Sequence, residues 1–326
     1  MSEAVSTSAK GTRRPIVTVT LNPALDLTLQ VQRLQTGEVN LASQEHLRPA
    51  GKGINVALVL RALDQAVCVT GILGLDNRQP FDSLFDELRM ENHFSYTTGA
   101  TRINVKISEQ DGRITDVNSP GLKMSEAAMT SLRLQLSALD DVADFFVLSG
   151  SLPQGLEPRT YAELTSQLKT RRHRVIVDTS GAALQAVIEA APFLIKPNVQ
   201  ELSQLAGREL ITQQDQEAVI RDLLAQGIEH VVLSDGGRGA RWYNRQASLQ
   251  AIPPEVTVVS TVGAGDSMVA GLSYGLSKQL PLEETFRLAT ALSAMAVSQI
   301  GVGATSPAEL KQLQQQVTVK PLPFSF

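Results

Sequence analysis

The chain has 326 residues, with 29 Lys plus Arg against 33 Asp plus Glu and a formal net charge of −4. That balance lacks the basic field of a dedicated nucleic-acid binder, and 43% hydrophobic with 19% charged residues excludes global disorder. One cysteine, Cys68, leaves no disulfide framework or cysteine-rich zinc centre, and no apolar run reaches the roughly 20 residues of a membrane span.

In chain order, residues 1–14 carry no apolar signal core and read as a flexible tail, which with the lone cysteine fits a reducing, cytoplasmic setting. Ile16–Thr20 reads as a strand bounded by Asn22-Pro23. Ile54–Leu63 reads as a helix, Val67–Ile72 as a strand holding a buried Cys68, and Phe81–Glu91 as a helix. Strand-like Asp144–Leu148, Val175–Asp178, Phe193–Ile195 and Val231–Leu233 then alternate with helical Tyr161–Thr170 and Gln214–Gln226. Helical Ser267–Leu276 and Leu282–Gln299 follow. This alternation predicts a mostly parallel sheet covered by helices on both faces, an α/β fold. Residues 27–48 and 96–118 break the rhythm with period-2 patterning, including a hairpin over Asn104–Thr115. They predict a small antiparallel sheet, a β-lid on one domain spanning residues 15–320. His46, His93, His173 and His230 are scattered without metal-ligand spacing.

Four small-residue turns carry candidate chemistry. Ser260–Ser267 (STVGAGDS) follows the strand-like Val256–Val259 and opens a helix. Gly263 and Gly265 permit a tight turn, the helix end offers amides and a positive dipole to an anion, and Asp266 can accept a proton. The same residues also fit a glycine turn with Asp266 as N-cap. In Pro49–Ala57, Lys52 and Asn55 flank another glycine turn before a helix, but His46 and Gly53 break the Walker A pattern. Asn198 and Glu201 place an amide and a carboxylate on one helical face, suited to a hydrated Mg²⁺ or, equally, to a capping box. Ser234–Ala240 (SDGGRGA) lets a nucleotide approach the backbone or simply turns a hairpin, and it is not a Rossmann fingerprint.

Together, AGKGINVA (50–57), SGSLPQG (149–155), DTSG (178–181), KPNVQE (196–201), SDGGRGA (234–240) and STVGAGDSM (260–268) resemble, in order and spacing, the PfkB branch of the ribokinase-like sugar kinases, over about residues 15–318. The resemblance implies a three-layer αβα fold with a β-lid. TLNPALD (20–26), GEVN (37–40) and TRINVK (101–106) are most similar to the branch that phosphorylates fructose 1-phosphate. The tagatose 6-phosphate branch is the nearest alternative, followed by 6-phosphofructokinases; members acting on 6-phosphosugars often carry basic residues where this chain has Glu38-Val39-Asn40.

The resemblance implies Asp266 as the base for the sugar C6 hydroxyl and the amides of Gly263, Ala264 and Gly265 as the anion hole for the transferring phosphoryl group. Asp26, Gly51, Asn55, Asn104 and Ser151 would line the sugar pocket, with Lys52 and Arg102 on the existing phosphate. ATP would meet Lys196, Asn198, Ser234, Gly236, Gly237, Gly239, Thr261, Gly263, Gly265 and Ser298, and Asn198 with Glu201 would order Mg²⁺ through water. The implied partners are sugar phosphate and ATP, with neither nucleic acid nor membrane, and a second copy paired through the lid. A non-catalytic sugar-phosphate sensor is the rival reading; it could dispense with the base, whereas Asp266, Gly263 and Gly265 are all present.

Overall fold

The computed structural model describes residues 14–299, 301–303, 306–324 and 326, so the expected tail lies outside the described residues except for Arg14. In chain order the elements begin with β1 (Ile16–Thr20), β2 (Ala24–Val31), β3 (Gln44–Ala50), α1 (Lys52–Ala62), β4 (Val67–Gly74), α2 (Gln79–Glu87) and β5 (Glu91–Thr97). Then come β6 (Ile103–Glu109), β7 (Ile114–Val117), α3 (Glu126–Ala138), β8 (Phe145–Ser149), α4 (Thr160–Thr170), β9 (Arg174–Asp178) and α5 (Gly181–Ile188). Next are β10 (Leu194–Ile195), α6 (Val199–Ala206), α7 (Gln213–Ala225), β11 (His230–Ser234), β12 (Ala240–Tyr243) and β13 (Ser248–Ile252). Last come α8 (Ala264–Ser277), α9 (Leu282–Val297), α10 (Pro307–Gln316) and β14 (Thr318–Pro321).

Ten strands form the main sheet in the order β14-β13-β12-β11-β10-β9-β8-β1-β4-β5. From β11 to β5 all pairings are parallel; β12, β13 and β14 extend one edge antiparallel. Every residue of β1 and of β4 is buried, because helices cover both faces, and this is why those strands read as unbroken apolar runs. One apolar cluster packs around Ile54 and Leu60 of α1 with Val269 of α8 and Leu292 of α9. The other, on the opposite face, gathers Leu132 of α3, Leu164 of α4, Leu184 of α5 and Leu224 of α7.

The second sheet has the order β3-β2-β6-β7. Its outer pairings are antiparallel, including the expected β6–β7 hairpin, while β2 and β6 run parallel. The pleat divides its two faces. Leu47, Leu27, Val105 and Val117 form one cross-strand row over all four strands, whereas Asp26 and Asn104, one residue along, point to the other face.

Several local expectations are corrected. The helix expected to run to Glu91 stops at Glu87, because Arg89 takes a left-handed φ of 52° and Glu91 opens β5. The helix after the glycine turn starts at Ala264, not near Ser267. Among the described residues Val256–Val259 pairs with no strand: it follows Pro253-Pro254, which lack backbone donors, and Val258 is 62% exposed.

Candidate active site

Two helices, α1 and α8, pack side by side and begin beside each other. Each has a glycine at its N-cap with no side chain capping it: Gly51 (φ 136°) before α1 and Gly263 (φ 83°) before α8. Both dihedrals lie where only glycine is comfortable. A Cβ on Gly51 would sit 2.8 Å from Thr20 Cγ2, and one on Gly263 only 2.2 Å from Val302 Cγ2. Glycine therefore lets each chain turn sharply into its helix against a neighbour. The first intrahelical bonds are Asn55 N–H to Gly51 O and Ser267 N–H to Gly263 O, both 2.8 Å. The amides of Ala264, Gly265 and Asp266 thus precede the first closed turn of α8, with the positive end of its dipole.

The alternative of Asp266 as N-cap is overturned, since Gly263 holds that position and Asp266 lies within the first turn. Asp266 is 5% exposed, and its Oδ2 accepts a 2.8 Å hydrogen bond from Asn55 Nδ2. Burial pushes its carboxyl up to about 6. Lys52 pulls it down, the charge of Asp178 pushes it up, and the Asn55 bond and Lys196 pull it down again. A carboxyl at this value is still mostly ionised at neutral pH, yet basic enough to accept a proton.

Asp178, which stands in DTSG with no role assigned by the sequence, organises the charges beside Asp266. It ends β9, is 2% exposed, and holds two cations: Lys52 Nζ at 3.0 Å and Lys196 Nζ at 3.3 Å. Burial works to raise its carboxyl, but Lys196 and Lys52 together hold it below the usual range. Asp178, with Asp266 beyond it, raises the Lys52 ammonium above its ordinary value despite burial. Lys196 also reaches α8: a Cβ on Gly265 would lie 3.5 Å from its Nζ. The result is a buried Lys196 and a half-exposed Lys52 between two aspartates, with positive charge directed to the N-terminus of α8.

On the lid side, Asp26 Oδ1 accepts from Asn104 Nδ2 at 3.0 Å, and its Oδ2 faces Lys106 Nζ at 3.5 Å. The parallel register Asp26↔Asn104 makes this contact, so it depends on strand pairing that the sequence separation conceals. Lys106 also meets Asp116 at 3.4 Å. Ser151 Oγ accepts from Asn22 Nδ2 at 3.1 Å. Arg102 donates to three carbonyls: Nη1 to Ser119 O (2.9 Å), Nη2 to Asn22 O (3.0 Å) and Nε to Pro23 O (3.3 Å). A guanidinium has five N–H groups, so two remain beyond these three. Burial lowers its pKa, opposed by the charge of Asp26. The structure places Lys52 on Asp178 and Arg102 on the loop carbonyls beside Pro23, the residue whose Cα would lie 3.2 Å from a Cβ on Gly51.

Beyond the lysines, a cavity of about 650 Å³ opens beside the N-terminus of α8. Ser234, Gly236, Gly237 and Gly239 line one side of it, with Thr261, Ala264 and Gly265 at its inner end. Ser234–Ala240 makes the hairpin connection between antiparallel β11 and β12, one of its two readings, and it also lines the cavity. The remaining wall is largely apolar, with Val256, Val258, Met268 and Val297 among it. No motif marks those residues. Ser298 does not line the cavity; its hydroxyl donates back to Met295 O at 2.8 Å. Gly263, Lys196 and Asn198 also stand outside the lining, Asn198 bridged to Ser234.

Asn198 and Glu201 form a complete capping box at α6: Asn198 Oδ1 accepts from Glu201 N–H and Glu201 Oε2 from Asn198 N–H, each at 2.8 Å. The carboxylate keeps a second oxygen, and its charge contributes to raising Lys52. Hard oxygen donors of this kind fit a largely hydrated Mg²⁺.

This arrangement, a buried carboxylate at a helix N-terminus between a nucleotide-sized cavity and the polar side chains of the small sheet, agrees with what comparison shows. The profile of the pfkB family carbohydrate kinases matches residues 19–309. The chain belongs to the PfkB family of carbohydrate kinases. It is 47% identical over 309 residues to the 1-phosphofructokinase of Vibrio cholerae, covering 95% of this chain and 98% of that protein. It is 44% identical to the Escherichia coli 1-phosphofructokinase, covering 94% and 99%. Among solved structures, phosphofructokinase-2 from Escherichia coli in complex with substrates and products superposes with a TM-score of 0.85 at 28% identity, over 92% of this chain and 98% of that one. Among the described residues of this PfkB kinase, no helix is long and apolar enough to cross a membrane.

Proposed function

We propose that this PfkB kinase transfers the γ-phosphoryl group of ATP to the C6 hydroxyl of fructose 1-phosphate, giving fructose 1,6-bisphosphate and ADP. The observation that carries the chemistry is Asp266, buried at the N-terminus of α8 with its carboxyl raised to about 6. The substrate follows the 1-phosphofructokinases that the chain resembles over nearly its whole length.

Phosphoryl transfer asks mainly for positioning and charge neutralisation. Asp266 Oδ1 takes the proton of the attacking hydroxyl while Oδ2 stays on Asn55, which fixes the carboxylate plane. Charge on the transferring group meets the amides of Gly263, Ala264 and Gly265 and the positive end of α8. Lys196, held by Asp178 next to Gly265, adds a cation on the nucleotide side, and Lys52 adds one on the sugar side. Asp26 with Asn104, Gly51, Asn55 and Ser151 engages sugar hydroxyls, and Lys52 with the two remaining donors of Arg102 takes the existing phosphate. ATP lies in the cavity along Ser234, Gly236, Gly237, Gly239 and Thr261. Glu201, with Asn198, would hold a hydrated Mg²⁺ through water, and the chemistry such an ion would supply there is neutralisation of phosphate charge.

We also propose that two copies pair through the lid. The row Leu47, Leu27, Val105 and Val117 faces away from Asp26, and Leu47 and Val117 are 50% and 56% exposed. Light scattering should give twice the chain mass, and Val117→Lys should give the monomer.

The deciding assay follows ADP release with Mg²⁺-ATP and fructose 1-phosphate, fructose 6-phosphate or tagatose 6-phosphate. The expected preference for fructose 1-phosphate is at least about a hundredfold in kcat/KM, or about 2.7 kcal/mol. Preference for a 6-phosphate would overturn the substrate, and no turnover with any of the three would favour another sugar or the sensor.

A further inference from the structure

On the far edge of the main sheet, away from the site above, three side chains of different metal-binding chemistry meet. Cys68 on β4 stands directly opposite Glu91 on β5 in the parallel register, and His93 follows two residues later on the same face. Their ligand atoms all lie within 4.8 Å of one another. Glu91 Oε2 is 3.4 Å from Cys68 Sγ, and Glu91 Oε1 is 2.8 Å from His93 Nε2. The scattered histidines gave no sign of this, because register rather than sequence spacing builds the cluster.

We propose that Cys68, Glu91 and His93 form a binding site for a borderline-soft divalent metal, Zn²⁺ first, with water completing the coordination. Bond lengths of about 2.0–2.3 Å to N, O and S around a tetrahedral ion put ligand atoms about 3–4 Å apart, so the present cluster needs only side-chain adjustment. A thiolate and an imidazole select Zn²⁺ over the Mg²⁺ that hard oxygen donors prefer. Access is open from the solvent side: β5 is the edge strand, and the Glu91 and His93 side chains are 62% and 21% exposed while Cys68 is buried beneath them. The backbone is fixed where it matters, since Thr70 Oγ1 on β4 donates to the His93 carbonyl at 2.9 Å. Without an ion, burial and the charge of Glu91 keep the thiol protonated, its pKa pushed up to about 12. A dication reverses that field. The S–H bond breaks as the sulfur–metal bond forms, and the proton leaves to solvent. The ion would clamp β4 to the edge strand.

The test is a titration of the full-length protein with Co²⁺ alone, without nucleotide, followed by competition with Zn²⁺. Cys68 is the chain's one cysteine, so a thiolate-to-cobalt charge-transfer band can come from nowhere else. The expected result is a band that saturates at one equivalent, is displaced by Zn²⁺, and survives excess Mg²⁺. It should be absent in Cys68→Ala, and His93→Asn should bind at least about tenfold more weakly. Circular dichroism and unchanged kinase turnover show that both variants are folded, since neither residue belongs to the active site. No band in the wild-type protein, a band bleached by Mg²⁺, or one that His93→Asn leaves unchanged would each overturn the site and leave an ordinary Glu–His contact over a buried cysteine.

Discussion

Asn55 Nδ2 donates a 2.8 Å hydrogen bond to Asp266 Oδ2, joining the N-terminal turns of two helices through residues 211 apart in sequence. That bond steadies the ionised form of a carboxyl which burial pushes up to about 6. If Asp266 is the base, kcat/KM for the sugar should rise with pH through about 6 and then level, because the deprotonated form is the active one. Asp266→Asn keeps the shape and removes the base. It should lower kcat by about 10²- to 10⁴-fold with KM for ATP little changed. A pH–rate profile and steady-state kinetics on the folded variant check both.

Removing the partners of Asp266 should move that acid limb in opposite directions. Asn55→Ala deletes a bond that lowers the pKa, so the limb should shift to higher pH, by up to about one unit or about 1.4 kcal/mol. Asp178→Asn removes a negative charge that raises it and releases Lys52 and Lys196 to act on Asp266, so the limb should shift to lower pH. In Asp178→Asn kcat should also fall, because the two lysines lose their anchor. Shifts of the same sign in both variants would refute this electrostatic account.

The two glycine turns, the strand alternation and the lid were legible because each rests on local chemistry: small residues before a helix, unbroken apolar strands, period-2 patterning. Asn55 and Asp266 were legible singly, but their bond was not, since it depends on α1 packing against α8. Asp178 ends a strand whose apolar run hides a buried charge; only the fold shows that Lys52 and Lys196 converge on it. The cavity wall at Val256, Val258 and Val297 consists of apolar residues that resemble any core residue until a void is seen beside them. The α6 start had two readings, and the completed capping box realises the structural one without removing the carboxylate's charge from the site.

Gly263→Ala tests the turn itself. Alanine at φ 83° is strained, and its Cβ would be driven into Val302. The variant should lose about 1–3 kcal/mol of stability, and kcat should fall as the first-turn amides of α8 move. Adding Val302→Ala should relieve the clash but not the dihedral, so the melting temperature and kcat should recover only in part.

Glu201 closes the α6 capping box and carries a charge toward the site, and one substitution separates the two. Gln at this position can still accept from the Asn198 N–H, so Glu201→Gln preserves the capping box while removing the charge. Glu201→Ala removes both. If the carboxylate serves Mg²⁺, Glu201→Gln should melt close to wild type yet need severalfold more Mg²⁺ for half-maximal rate. Glu201→Ala should show the same Mg²⁺ defect and in addition lose about 0.5–2 kcal/mol of stability from the broken cap. Thermal melts beside Mg²⁺ titrations of kcat check this. A Gln variant with wild-type Mg²⁺ dependence would reduce Glu201 to a helix cap and shift the search for the ion's ligands toward the phosphates of the nucleotide itself.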